Sequence, residues 1–207
     1  FNVYKYRNLN NPKVFYDDNV VRLVGNYRTA FLQLAIDDLY KGTKERMIET
    51  LDSMAIVMPE DIFPIGNDDI YLQIGLLYYE GGRKGEPGKP SDLEIRLENL
   101  LKQPNVNYRS KLRYASVYAQ QLQDYPKALE ILEQINAQKP NDPEIAGYLV
   151  KIYEESKHFD KATAILDNWL ALHPDDKSAA AMRDNYRNKM TSAQKAQYDS
   201  LTGAVRQ

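Results

Sequence analysis

The sequence predicts an all-α chain, a right-handed α-solenoid of short helix pairs closed by capping helices at its C-terminal end. Three observations predict it. The segment Tyr125-Pro126-Lys127-Ala128-Leu129-Glu130-Ile131-Leu132 reads like Phe159-Asp160-Lys161-Ala162-Thr163-Ala164-Ile165-Leu166, and Ala128 stands 34 residues before Ala162. Pro140 and Pro174 are separated by the same 34 residues, so two independent markers keep one register. Between the markers, apolar residues recur at helical spacing, the pattern of helices that bury one face.

A period of 34 is the length of the tetratricopeptide repeat, and the chain resembles that family in more than length. With the small residue counted as repeat position 20, repeat three spans 109–142 and repeat four 143–176, each closed by a proline at position 32. Repeat four places Leu149, Tyr153, Ala162, Leu166, Trp169 and Pro174 where the consensus wants apolar, aromatic, small, apolar, small and proline. Only Trp169 departs in size. Repeat three supplies Ala115, Ala119, Ala128, Leu132, Ile135 and Pro140, with Ala119 in place of the usual aromatic. The small residue lets the second helix approach the first closely, and the proline stops the second helix before the next repeat.

Two further repeats are expected upstream. Pro59 serves as position 32 of a repeat over 28–61, which sets Phe31, Leu34, Ala35, Leu51 and Met54 on repeat-like positions and leaves Met47 as the misfit at position 20. A second unit, 68–105, begins with Tyr71, Ile74, Gly75 and Tyr78, and its second helix is expected over Ser91–Lys102, ended by Pro104. Between them Glu80–Pro90 reads as a long, flexible inter-helix loop from its Gly and Pro content. Residues 1–27 form an N-terminal extension and lead-in helix. Residues 177–207 form capping helices, the first capped by Asp175 or Asp176 and the last by Ser192, and they close the end of the stack.

Composition narrows the function. The 27 Lys plus Arg against 29 Asp plus Glu give a formal charge of -2, with both signs interspersed. That argues against nucleic acid as a partner, which calls for a clustered basic face. With no cysteine, disulfides, thiolate metal sites and cysteine nucleophiles are excluded. The longest apolar stretches, such as Met54–Met58, fall far short of the ~20 residues a membrane helix needs, so no direct membrane insertion of this chain is expected. The start at Phe1, without an initiator Met or an apolar leader, suggests a piece of a longer protein.

A second resemblance covers the whole chain, although its distinctive residues lie at the N-terminal side. Tyr6-Arg7-Asn8-Leu9-Asn10-Asn11-Pro12-Lys13-Val14-Phe15-Tyr16-Asp17-Asp18-Asn19, with Arg22, Asn26-Tyr27-Arg28, Phe31 and Leu34-Ala35, resembles the soluble C-terminal region of a family of multi-pass membrane proteins common in Bacteroidetes. Those proteins look like protein O-mannosyltransferases. The resemblance implies that any glycosyl transfer resides in the membrane portion and that this region is periplasmic, with a cytoplasmic location as the alternative. It carries no catalytic residue onto these positions.

Candidate chemistry is weak. Gly88-Lys89 lies in a Gly-rich loop, but a phosphate loop needs Gly five residues before that glycine and Ser or Thr after the lysine, where Arg83 and Pro90 stand. His158 and His173 lack a second His at helical spacing, so no metal or nucleophile motif forms around them. Glu154-Glu155, Asp37-Asp38 and Asp175-Asp176 are adjacent pairs that point roughly 100° apart on a helix, unlike a catalytic dyad or a calcium loop. No catalytic residue, metal site or cofactor is therefore expected. Most of the 16 tyrosines, Tyr71, Tyr78 and Tyr153 among them, are expected to pack in the core.

First-helix residues at repeat positions 2, 5, 6, 9, 12 and 13 are expected to line the inner face of such a stack. Those positions supply Gln73, Tyr79, Arg113, Tyr114, Gln120, Gln121, Tyr148, Lys151 and Glu155 as a candidate groove for a protein or peptide partner, the chain's own membrane portion included. The chaperone-tail clamp of some tetratricopeptide proteins is not expected, because its Lys and Asn correspond here to Leu32 and Ile36. The expected function is thus a non-catalytic interaction scaffold attached to a membrane glycosyltransferase-like protein. The alternatives are a free-standing soluble peptide binder and a glycan-binding or glycan-processing accessory domain.

Overall fold

The computed structural model describes residues 9–203 and holds ten α-helices and no strand among them. The part of the N-terminal resemblance carried by Tyr6-Arg7-Asn8 lies outside the described residues, as does the end of the last expected helix beyond 203. The chain divides into two compact units, Phe1–Pro104 and Asn105–Gln207.

The first unit contains α1 (Asp18–Tyr40), α2 (Lys44–Val57), α3 (Asp68–Glu80) and α4 (Asp92–Leu101). Consecutive helices pack together, and α1 also touches α3, the contact between alternate helices that a stack of hairpins requires. α1 is one continuous helix, started by Asp17, whose side chain accepts the Val20 N–H. Its buried stripe runs through Val24, Arg28, Phe31, Leu32 and Ala35. Leu34 falls outside that stripe and is 51% exposed, whereas Leu32, aligned with a clamp position, is buried.

Met47 is wholly buried at the place where a small residue is expected. The room it needs comes from the residue that ends α3: a Cβ on the C-cap Gly81 would lie 2.8 Å from Met47 and 2.4 Å from Ile48. The small residue has moved from one helix to its neighbour. Gly75 makes the same kind of close approach, its absent Cβ falling 3.1 Å from the Leu93 backbone on α4.

Residues of the N-terminal resemblance are built into this unit. Arg28 is buried and donates through Nη2 to the carbonyls of Met58 at 3.1 Å and Phe63 at 2.9 Å, tying α1 to the turn after α2. The ring of Tyr16 packs 4.6 Å from that of Phe63. The expected long loop after α3 is folded on itself, with the Lys89 N–H donating to Glu86 at 2.8 Å. Gly85, at φ +83°, has no space for a side chain because a Cβ would sit 2.8 Å from the Lys89 carbonyl. Arg83 reaches back to Asp52 at 2.5 Å. Ser91 and Glu94 then form a complete capping box at the start of α4.

The second unit contains α5 (Tyr108–Gln120), α6 (Tyr125–Gln138), α7 (Pro143–Glu155), α8 (Phe159–Leu172), α9 (Lys177–Lys189) and α10 (Ser192–Gly203). Consecutive helices pack from α5 to α9, α5 touches α7, and α10 returns to α8. Ala128 and Ala162 are wholly buried, and Ala115, Leu132, Leu149 and Tyr153 are buried with them in the core of this unit. α9 is capped by Asp176, whose side chain accepts the Ala179 N–H. The cap of α10 is Thr191 rather than Ser192, since Thr191 Oγ1 accepts from the Gln194 N–H and Gln194 Oε1 accepts from the Thr191 N–H.

The repeat is written in the backbone as well as in the side chains. Gly42, Gln123 and Lys157, all at position 15, take φ of 75°, 55° and 61°, the left-handed turn between the two helices of a pair. Met58, Lys139 and His173, all at position 31, take φ near -130° with ψ of 68°, 69° and 67°. Each precedes a proline, which bars the α conformation and ends the helix.

Replacing Ala128 or Ala162 with Leu is expected to destabilise the chain by ~1 to 3 kcal/mol through overpacking. Urea unfolding of the two variants against the parent checks this; unchanged midpoints for both would contradict the seam described here.

Candidate functional site

A concavity of the second unit lies between α7 and α9. It begins with a side chain of the wrong size. Position 27 holds Met54 and Ile135 in other repeats, both buried, but Trp169 in the fourth, where the indole is only half-buried. Trp169 Nε1 donates to Asp176 Oδ2 at 3.0 Å, and the ring stacks on His173 at 3.9 Å. The indole is thus held by the residue that caps the next helix.

The result is a cleft of about 450 Å³. α7 contributes Ala146, Gly147, Val150, Lys151 and Glu154; α8 contributes Ile165, Leu166 and Trp169; α9 contributes Ser178, Ala179, Met182 and Tyr186. Small residues on α7 and α9 keep the space open. Tyr186 joins the two flanking helices by donating its hydroxyl to Glu154 Oε2 at 2.7 Å, and Lys189 approaches the other Glu154 oxygen at 3.7 Å. Burial and the Glu154 carboxylate push the Tyr186 hydroxyl above the ordinary phenol pKa, so it stays a hydrogen-bond donor at neutral pH. Asp176 is held below the ordinary carboxylate range, first by the Ala179 N–H and then by the Trp169 indole.

The nine residues expected to form a groove are placed unequally. Gln73 and Tyr79 belong to the first unit, both half-buried, with Lys84 lying 5.3 Å from the Tyr79 ring. In the second unit Arg113 and Gln120 are exposed on α5, and Gln121 is its half-buried C-cap. Tyr114 is 2% exposed, so its ring packs in the core and offers no contact surface. On α7 Tyr148 is half-buried, while Lys151 and Glu155 are exposed and approach each other at 4.0 Å. Of the nine, only Lys151 lines the cleft. The other lining residues were missed because α9 reads as a cap, although it stands to α7 as the first helix of a further repeat would. Trp169 was visible as the size departure in repeat four.

His158 lies edge-on to Tyr153 at 6.5 Å, and among the described residues no cluster of three or more His, Cys, Asp or Glu is arranged to hold a metal. No described helix is long and apolar enough to cross a membrane.

Stacked hairpins of 13- and 14-residue helices, with small residues at the seams and a cleft between alternate helices, define a helical-repeat protein. Residues 119–185 match the family model described as Tetratricopeptide repeat, a span that includes most of the residues lining the cleft. No curated protein and no solved structure gives a significant match.

Acidification is expected to weaken the α8–α9 joint. Because Asp176 has a lowered pKa in the folded chain, its contribution is fully present above the ordinary carboxylate pKa of about 4 and is lost as pH falls through the folded value. Asp176→Asn is therefore expected to melt below the parent at pH 7, with the gap closing in acid. Emission from Trp169, the single tryptophan, follows the same joint; a gap that persists at low pH would contradict the assignment.

Proposed function

We propose that this chain is a non-catalytic protein-interaction scaffold, and that it is the extracytoplasmic C-terminal domain of a multi-pass membrane protein resembling glycosyltransferases. The tetratricopeptide match over 119–185 carries the first half, since such repeats present surfaces to proteins or peptides. The open cleft between α7 and α9, with its aromatic wall and charged rim, has the composition of a recognition surface.

The second half rests on the N-terminal resemblance. Asn11, Tyr16 and Arg28 are ordered parts of the first unit, Tyr16 donating to the Asn11 carbonyl at 3.2 Å and Arg28 holding the turn at 58–63. A segment so tied down is suited to hand the repeat unit to a preceding portion of the same polypeptide. On this reading the sugar-transfer chemistry belongs to the membrane portion and the periplasmic repeats position a partner near it.

Two measurements test the halves separately. The reading frame upstream of the codon for Phe1 is expected to encode several apolar segments of ~20 residues; a frame without them removes the membrane parent and leaves the scaffold. Affinity purification of the tagged native protein is expected to recover a stoichiometric protein partner. Recovery of the chain alone, together with turnover of a glycan by the purified domain, would overturn the scaffold.

A further inference from the structure

Position 7 of the repeat turns inward wherever a helix pair precedes it. Ile74 holds it on α3 and is buried in the core cluster built with α1 and α2; Leu149 holds it on α7, which packs on α6 and touches α5, and is buried too. Leu34 holds it on α1, the first helix among the described residues, and is half exposed. It is not a lone apolar residue. Leu23 and Tyr27, each about half exposed, and the exposed Ala30 continue the row at spacings of 4, 3 and 4, the pattern of a helix that packs lengthwise on another helix. The outer helix of a stack ordinarily turns a polar face outward, and α1 does not.

The residues beside this row select the partner and its direction. When a second copy of α1 is laid antiparallel with Tyr27 against the other copy's Ala30, Leu23 falls against the other copy's Leu34, twice over by symmetry. Asn26 then lies within two residues of rise, about 3 Å, of the other copy's Gln33, and Arg22 equally near the other copy's Asp37. All four are exposed. In the single chain Arg22 donates to the Asn19 side-chain oxygen at 3.4 Å, and Asp37 takes Lys41 at 2.5 Å through Oδ2, which leaves Oδ1 to accept. A parallel pairing would set Arg22 against Arg22 and Asp37 against Asp37, like charges that repel. The ends of α1 agree. Phe15, 90% exposed just before the helix, and Tyr40, 85% exposed as its last residue, stand at opposite ends, and an antiparallel pairing brings each to the end where the other copy presents its counterpart.

We infer that two copies of this chain associate through α1, antiparallel about a two-fold axis that passes between Tyr27 and Ala30. Four apolar side chains from each copy make a small interface, so the dimer belongs to the transient class and forms on the order of micromolar concentration. The inference is independent of the scaffold reading and of what the cleft takes.

Sedimentation equilibrium of the full chain over a concentration series tests this, and a reversible monomer–dimer equilibrium is expected. Arg22→Asp and Asp37→Arg are each expected to weaken self-association about five-fold or more, since each turns both charge pairs of the dimer from attractive to repulsive. The two changes combined in one chain are expected to restore it, as is mixing the two single variants. Both changes lie on the exposed surface, and melting of dilute samples at the parent's temperature checks that each variant folds. A chain that stays monomeric at every concentration reached would overturn the proposal. So would a dimer that neither single variant weakens, or that the double variant fails to restore. None of these outcomes bears on the scaffold.

Discussion

Everything in this chain depends on the close approach of paired helices too short to stand alone. Apart from α1, the helices run 10 to 14 residues, at or below the length at which an isolated helix is marginal in water. Each must bury its apolar stripe on a neighbour. Ala128 and Ala162 suit that demand in the second unit, since each is wholly buried and a methyl group lets paired helices approach closely. The tight turn between paired helices follows from the same demand. It forces position 15 into the left-handed region even where the residue is Gln123 or Lys157 rather than Gly42, at a local cost that the packing offsets.

The first unit meets the demand by different means. Met47 would separate α2 from its neighbours if Gly81 did not withdraw, so the steric allowance sits on α3. Buried arginines supply the remaining order. Arg28 gives its donors to two turn carbonyls, and Arg96 lies between Glu60 and Asp92, each at 2.6 Å, with its guanidinium 4.4 Å from the centre of the Tyr71 ring. A buried guanidinium without such partners is costly, so these contacts specify where the turn after α2 must lie.

The cleft is marked by one side chain of unexpected size and kept open by the small residues of the helices on either side. A small residue or Ile at position 27 closes the seam, as Ile135 does; Trp169 cannot be swallowed there, and its indole N–H requires an acceptor. Asp176 supplies it while capping α9. Tyr186 then bridges to Glu154, so α9 is joined to α7 through a hydroxyl while small residues leave space between them. Holding the indole and capping α9 are thus joined in one carboxylate, so the wall of the cleft depends on the joint between α8 and α9.

Local rules in the sequence determined the helix pairs and most of their stops, although the start of α1 at Asp18 and the cap of α10 at Thr191 were not read from it. The prolines after Met58, Lys139 and His173 act within a few residues and, with the 34-residue register, are legible without a structure, as is a cap at Asp175 or Asp176, which the structure resolves to Asp176. Tyr153, Leu149 and the seam alanines were legible for the same reason, as each repeats at a fixed offset. What only the tertiary structure decided is which face each helix surrenders. Tyr114 is buried and Leu34 exposed because neighbours on other helices, not spacing along their own, determine accessibility. The compensation between Met47 on α2 and Gly81 at the end of α3 joins residues 34 apart in sequence. The cleft likewise needs α7, α8 and α9 together. Trp169 marked it in the sequence only as an oversized residue, because the space beside an indole is set by distant side chains rather than by the indole itself.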